Sequence, residues 1–231
     1  MATFLSSLPL IQLLVILGCA TAFSASSPQS APWQNFLSSI ISTSSTNNSN
    51  SFPNPFATDT KQRRRQDLKQ QLLNECQQNL GVNSPQVRLR IEALIGELRD
   101  LNPTSETALS PLLRKIWVLE WTSEKEINFF LEKGISDRIT QTLSFDNILE
   151  NNIPFVKGGS FGVSGNISPD LNKDDYLRTN FKFINAKLDL GWINFNFPPI
   201  GEGWFDTVYL DDELRIDTNS RDDILICTAE K

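Results

Sequence analysis

The chain has 231 residues, of which 39% are hydrophobic and 21% charged, with a formal net charge of −6 and no histidine. The missing histidine excludes Ser-His-Asp and Cys-His nucleophile systems and metal sites that depend on histidine ligands. The acidic balance disfavours nucleic acid as a partner, because binding phosphates requires a basic face. No catalytic residue, cofactor or metal site is predicted.

The first sixty residues have the character of targeting sequence. Leu8 to Leu17 is an apolar run too short to span a bilayer. Ala20-Thr21-Ala22 follows as a cleavage signal, which predicts a signal peptide over 1–22. Residues 23–60 are rich in Ser, Thr, Asn and Pro, without an acidic residue before Asp59, as in a plastid transit peptide. The alternative is a disordered linker on a secreted protein.

Two helices are predicted over 61–102. In the first, Leu68, Leu72, Cys76 and Leu80 recur every four residues. In the second, Ser84 is the predicted N-cap, Pro85 the first helical residue, and Val87, Ile91, Leu94, Ile95 and Leu98 form the apolar stripe. Cys76 and Cys227 lie in unrelated patterns, which favours two free thiols over a disulfide.

The hydrophobic period changes to two after Leu112, which indicates strands. It places Trp117, Leu119 and Trp121 on one face of the first strand. Ser123 and Glu126 have the spacing of a capping box that opens a short helix. The strand segments that follow are 139–145, 148–156, 159–167, 177–190, 193–197, 204–210, 214–216 and 224–228. Counted as about eight short strands, they predict an antiparallel β-barrel over 112–228, a size that can hold one small ligand.

Three stretches resemble the plastid lipid-associated proteins, also called fibrillins or plastoglobulins. They are SPLLRKIWVLEWTS at Ser110 to Ser123, ITQTLSFDN followed by ILENNIPF, and GWFDTVYLDDELRI at Gly203 to Ile216. The resemblance covers roughly Asp67 to Thr228, and 61–231 is taken as the fibrillin domain. The chain departs from the family pattern at Lys115, at Trp121 and over 217–223.

The resemblance implies a mainly β, lipocalin-like barrel with an N-terminal helical segment. It also implies peripheral association with thylakoids or plastoglobules, and apolar ligands such as carotenoids and quinones. Ala20 to Phe23 is similar to the junction of two-part presequences in algae with complex plastids, such as diatoms. The resemblance thus implies a plastid protein that binds lipid. Because histidine and metal ligands are missing, we expect a protein that is not an enzyme, although some barrels of this shape act on apolar substrates.

Several residues are candidates for ligand contact, because aromatic faces bury much of an apolar ligand. The alternative for each of them is core packing. Phe181 and Phe183 are predicted to share a face. Arg215 has two interpretations: a brace for the turn at Asp211-Asp212, or a polar anchor for a ligand head group. The full candidate set is Trp117, Trp121, Phe181, Phe183, Phe195, Trp204, Tyr209 and Arg215.

Other functions stay open at this stage. The helical segment could be a scaffold that docks an enzyme of isoprenoid metabolism. With a signal peptide and linker alone, the chain would be a secreted lipocalin-like carrier, and glycosylation at the sequon Asn166-Ile167-Ser168 would distinguish that case. An acid–base pair among Asp206, Asp211, Asp212 and Glu213 is the least favoured alternative, since acidic runs in turns are usually solvated.

Overall fold

Alternating apolar residues after Ile116 form nine strands, and helices precede them. In the computed structural model, which describes residues 55–198 and 201–231, α1 (Pro55–Gln78) and α2 (Pro85–Asp100) come first. Two 3₁₀ turns follow at Thr107–Leu109 and Pro111–Leu113. The later elements are β1 (Ile116–Thr122), α3 (Lys125–Glu132), β2 (Thr140–Leu143), β3 (Ile148–Pro154), β4 (Ser160–Pro169), β5 (Arg178–Asp189), β6 (Asn194–Phe197), β7 (Glu202–Leu210), β8 (Leu214–Asn219) and β9 (Ile224–Ala229).

The strands close into a ring. All pairings are antiparallel, in the order β4-β3-β2-β1-β9-β8-β7-β5-β6, and an additional β4–β5 pairing joins the two ends. Eight strands therefore form the closed ring. The ninth strand, β6, lies outside the ring and forms a hairpin with the second half of β5. This arrangement confirms the predicted mainly β, barrel-like fold with a helical segment at its N-terminal side.

The two helices pack on the outside of the ring, over β1, β9, β8 and β7. Their buried stripes include Leu72 and Ile91, which contact outward-facing strand residues such as Trp121, Tyr209 and Ile226. A separate cluster of buried apolar side chains lies inside the ring. It includes Trp117, Leu143, Ile167 and Cys227. Where the helices cover the ring, its strands are buried on both faces and their sequences include continuous apolar runs. Elsewhere one face of each strand is more exposed, and apolar and polar residues alternate.

A β-bulge in β1 overturns the predicted common face of Trp117, Leu119 and Trp121. Leu119 is opposite Cys227 and Trp121 opposite Ile226, so Glu120 is an extra residue without a counterpart in β9. The extra residue reverses the side-chain alternation. Trp117 and Leu119 thus face the interior, whereas Trp121 faces the helices on the outside.

The sequence predicted one helix boundary correctly and misplaced others. The first helix begins at Pro55 rather than Lys61 and ends before Leu80, which is 46% exposed and outside the buried stripe. The Ser84 cap is confirmed, since its Oγ accepts a hydrogen bond from the Val87 amide. The predicted capping box at Ser123 is wrong, because Glu124 is the N-cap of α3. Ser123 Oγ instead binds the Ile224 amide and the Asp223 carboxylate of the β8–β9 turn.

Cys76 and Cys227 are both buried free thiols, as predicted. The predicted signal peptide over 1–22 lies outside the described residues. So does most of the predicted transit-peptide-like segment over 23–60.

Candidate ligand cavity

A cavity of about 200 Å³ lies inside the ring. Its wall is mostly apolar, with side chains from β1 to β5 and from β7 to β9, and α3 contributes Ile127 and Phe130. It reaches the surface at one end, where the exposed Ser220 and Arg221 of the β8–β9 turn line it. We call this end the cavity mouth.

Phe181 and Phe183 are the two predicted ligand contacts that line the cavity. They lie two residues apart on β5, so they share its inward face as predicted, and their ring centroids are 5.0 Å apart. Both are only partly buried. Space beside the rings is therefore left open rather than filled by neighbouring side chains.

The end of the ring opposite the mouth is filled. Trp117 is fully buried there, with its Nε1 donating to the carbonyl of Leu113 at 3.0 Å. Leu113, Leu143 and Leu210 pack around it. Trp117 therefore closes the bottom of the barrel and does not line the cavity.

Four other predicted contacts lie outside the cavity. Trp121 faces the helices and donates from Nε1 to the carbonyl of Val82 at 3.0 Å. Tyr209 is on the same outer face, with its hydroxyl donating to Asp211 at 2.7 Å. Trp204 lies with its ring centroid 3.3 Å from the Arg178 guanidinium carbon. Phe195 is on β6 and 39% exposed.

Arg215 is fully buried and points into the ring, beside the cavity. Its Nε is 3.0 Å from the Asp217 carboxylate, and its guanidinium carbon is 5.1 Å from the Trp117 ring centroid. Burial raises the pKa of Asp217, and the charge of Arg215 opposes that rise. The predicted brace between Arg215 and the Asp211-Asp212 turn is therefore not formed. Arg215 points inward because β8 alternates, so Leu214 and Ile216 face the helices instead.

Lys69 of α1 makes the contact with Asp211 that was predicted for Arg215. Its Nζ is 2.7 Å from both Asp211 and Glu213, although Lys69 is only 5% exposed. Asp211 also accepts the Tyr209 hydroxyl and the amides of Glu213 and Leu214, which forms the β7–β8 turn. The longest family-like motif thus attaches the helices to the barrel.

A chain of amide side chains runs from Arg215 to the cavity. Arg215 Nη2 donates to Gln141 Oε1, and Gln141 Nε2 donates to Asn151 Oδ1 at 2.8 Å. Because the guanidinium can only donate, it fixes the direction of both amides. Asn151 lines the cavity, and because its Oδ1 accepts from Gln141, Nδ2 is the donor group of this side chain.

Charged side chains surround the cavity mouth. Glu124 accepts a hydrogen bond from Asn219 Nδ2 at 2.8 Å, and Arg221 binds Glu126 at 3.0 Å and Asp223 at 3.2 Å. Burial raises the pKa of Glu124 to about 7, with a further upward contribution from Asp223, while Arg221 and the Asn219 hydrogen bond lower it.

Sequence reasoning missed the polar part of the cavity. Gln141 and Asn151 lie in short strands whose alternation places them on the inward face, opposite each other. The sequence does contain a signal for this. Asn151 lies two residues from both Leu149 and Ile153, so alternation along the strand places its side chain on the same inward face as theirs. Ile127 and Phe130 lie on the short helix that was predicted after Ser123, but no cavity wall was predicted there.

Two further properties bear on function. Among the described residues, no cluster of Cys, Asp or Glu is arranged to hold a metal ion. Of the helices in that part of the chain, none combines the length and apolar character needed to cross a bilayer.

Comparison with known proteins now adds the family. The PAP_fibrillin family pattern matches residues 66–228. A protein of Arabidopsis thaliana named probable plastid-lipid-associated protein 11, chloroplastic, is 35% identical over 120 residues, which are 49% of this chain and 55% of that protein. The chain thus spans about half the length of this curated relative. No solved structure matches the chain significantly. The chain belongs to the PAP_fibrillin family of plastid lipid-associated proteins.

Proposed function

We propose that this protein is a plastid lipid-associated protein that binds a small apolar molecule inside the barrel, in a binding role rather than a catalytic one. The observation that carries the proposal is the apolar cavity that is open at one end and filled at the other. The family and the chloroplastic relative support the plastid location. The two-part leader supports entry into a complex plastid.

The size of the cavity favours a ring or a short chain as the bound group. Pockets that enclose drug-sized ligands are roughly 300–1,000 Å³, and this cavity is about 200 Å³. A carotenoid is a long, stiff polyene that would extend far beyond such a space. A quinone has a compact ring that the cavity can enclose, with its isoprenoid tail leaving through the mouth. Of the two ligand classes implied by the family, we therefore propose the quinone class.

The hydrogen-bonding group in the cavity supports the same class. The relay from Arg215 engages Asn151 Oδ1, so Nδ2 is the group that Asn151 can offer to a ligand. A quinone carbonyl is an acceptor and can pair with this donor, whereas a pure hydrocarbon would leave the amide without a partner. An unpaired buried polar group costs about 1–3 kcal/mol, so the site should discriminate against hydrocarbons.

The decisive experiment measures binding of a short-tailed benzoquinone and of β-carotene to the purified chain, by competition with a fluorescent apolar probe. We expect the quinone to displace the probe and the carotene not to. Asn151→Leu should weaken quinone binding by about tenfold, the equivalent of about 1.4 kcal/mol. Asn152→Leu is the matched control, since the exposed Asn152 faces outward on the same strand. Failure of the wild type to bind probe or quinone would refute the proposal.

A further inference from the structure

The end of the barrel that carries the cavity mouth also carries a projecting hairpin. β7 begins at Glu202, which pairs with Lys182 of β5. Beyond that level β5 continues to Asp189, paired with β4 on one side and with β6 on the other. Residues 184–197 therefore extend past the start of β7, and we call them the mouth hairpin.

The inner face of the mouth hairpin continues the cavity wall. Leu188 lies opposite Phe161 of β4, which lines the cavity, and also opposite Phe195 of β6. Phe183, a cavity residue, immediately precedes the hairpin on β5. An apolar surface thus runs from the cavity to the hairpin without interruption by a charged side chain on this face.

The mouth hairpin exposes large apolar side chains to solvent, from Ile184 at its base to Trp192 in its turn. Trp192 is 83% exposed, Ile184 51% and Phe195 39%. The turn that presents Trp192 is ordered, since Leu190 N donates to Ile193 O at 3.0 Å and Gly191 N donates to the Asp189 carboxylate at 2.7 Å. Gly191 has a φ of 83°, which favours glycine at this position. Several exposed apolar side chains on one hairpin are typical of a surface that contacts a protein or a membrane.

The charge of the mouth hairpin indicates what kind of surface it fits. Its only charged residues are Lys187 and Asp189, whose charged groups are 3.8 Å apart, so its net charge is zero. No charged residue occurs from Leu190 to Gly201. Nothing in the hairpin therefore supplies the basic cluster that attracts an anionic membrane surface. Tryptophan is enriched at lipid–water interfaces, where its ring sits at the headgroup level.

We propose that the mouth hairpin docks the protein on an uncharged lipid surface, with Trp192 inserted and the cavity mouth facing the lipid. An apolar ligand could then pass between lipid and cavity along the apolar inner face, without crossing water. The passage of ligand rests on the proposed function, but docking does not, because it needs only the exposed hairpin.

The test measures insertion of Trp192 into phosphatidylcholine vesicles whose acyl chains carry bromine, a quencher of tryptophan fluorescence. The full chain is used with Trp33→Phe and Trp204→Phe, so that neither the leader nor the partly buried Trp204 contributes a tryptophan signal. The two tryptophans that then remain besides Trp192 are Trp117 and Trp121, which are fully buried and provide a constant background. We expect vesicles to quench the Trp192 signal strongly, and the quenched part to be lost in Trp192→Phe.

A control at the other end of the barrel tests whether the orientation is specific. Phe145 is 75% exposed in the β2–β3 turn, at the filled end of the ring. Phe145→Ser should leave the quenching of Trp192 unchanged, whereas Ile184→Ser should reduce it several-fold. Quenching that is absent, that persists in Trp192→Phe, or that requires an anionic lipid would overturn the proposal. Absence of quenching would leave a protein partner as the occupant of the hairpin.

Docking and cavity binding can fail separately. Probe binding measured without vesicles should be unchanged in Trp192→Ser, because the side chain lies outside the cavity. Asn151→Leu should keep vesicle quenching while losing quinone affinity. Loss of both properties in either variant would contradict the assignment of two distinct surfaces.

Discussion

Phe183 packs against a neighbouring aromatic ring on one side and borders the cavity on the other, unlike a core residue that is enclosed on all sides. It is partly buried, and Phe181 is its aromatic partner at 5.0 Å. A side chain that lines a cavity makes fewer packing contacts than one enclosed on all sides. Its contribution to binding should therefore exceed its contribution to folding.

Phe183→Ala tests this balance. In a filled core the change would cost about 3–5 kcal/mol of unfolding free energy. We expect a smaller loss, together with a drop of about tenfold in affinity for the apolar probe. Leu113→Ala is the control, because Leu113 is fully buried at the filled end. It should lower the melting temperature and leave probe affinity intact. The reverse pattern in the two variants would mean that the cavity lies elsewhere.

Arg215 shows how a charged residue can be retained inside an apolar barrel. Its contacts are the Asp217 carboxylate, Gln141 Oε1, the Cys227 sulfur at 3.7 Å and the Trp117 ring. Removing one partner of such a buried pair leaves the other charge without compensation. We therefore expect a structural role for Arg215, with any effect on ligand binding passing through the amide relay.

Arg215→Ala should lower the unfolding free energy by about 3–5 kcal/mol, because Asp217 is left buried and unpaired. Adding Asp217→Asn should recover part of this loss, which a double-mutant cycle of chemical denaturation curves would measure. A fully stable Arg215→Ala protein that had lost ligand binding would instead support the anchor interpretation.

At the level of elements, α1 is fastened to the β7–β8 turn by a small polar cluster. Lys69 reaches both carboxylates of the turn, and Tyr209 supplies a hydroxyl to one of them. Burial by itself raises the pKa of Asp211, but the hydrogen bonds from Lys69 and Tyr209 hold it below its ordinary value. The cluster fixes where the apolar stripe of α1 meets the barrel.

Lys69→Met should lower the unfolding free energy by about 1.5–3 kcal/mol, the range for hydrogen bonds to charged groups. Lys61→Met is the matched control on the same helix, because Lys61 is exposed and its substitution should change stability by less than about 0.5 kcal/mol. Thermal melts of both variants measure this difference in stability. Equal melting temperatures for the two variants would show that the cluster does not fasten the helix.

The start of α3 meets the β8–β9 turn at the cavity mouth, where Glu124 is placed. Its pKa rises from an ordinary value of 4.5 to about 7 on folding. The folded state therefore binds a proton more tightly than the unfolded state. This means that Glu124 makes the protein less stable as pH rises through that window, with the full loss reached above it.

Glu124→Gln should remove this dependence. The difference in unfolding free energy, wild type minus variant, is expected to fall between pH 4.5 and 7 and to level off above. Glu132→Gln, at an exposed position of the same helix, is the control. Chemical denaturation at a series of pH values measures the difference, and a flat profile for Glu124→Gln would contradict the proposed environment.

For the whole molecule, the remaining question is delivery to the plastid. The sequence predicts a leader for a two-step route, with a signal peptide over 1–22 followed by a Ser-rich, acid-poor segment over 23–60. Residues 1–60 fused to a fluorescent protein should reach the plastid of a diatom. Phe23→Ala should stop the fusion before that organelle. Secretion of the unchanged fusion would favour the secreted-carrier alternative, as would glycosylation of Asn166.

The sequence by itself determined the elements and the family. Side-chain periodicity identified the strand segments, counted as about eight, because alternation is a local property. Their short length and even spacing indicated the antiparallel arrangement. The motif from Gly203 to Ile216 indicated the family, since its long, specific pattern needs no knowledge of contacts.

The tertiary structure alone decided which side chains meet. The bulge at Glu120 exists because β9 has one residue fewer at that point, and it sends Trp117 and Trp121 to opposite faces. The pairing of β4 with β5 closes the sheet into a ring and so creates an enclosed interior. The side chains packed around Trp117 fill one end of that interior and leave the other end open. These outcomes depend on register and volume shared between strands distant in sequence, which no local pattern encodes.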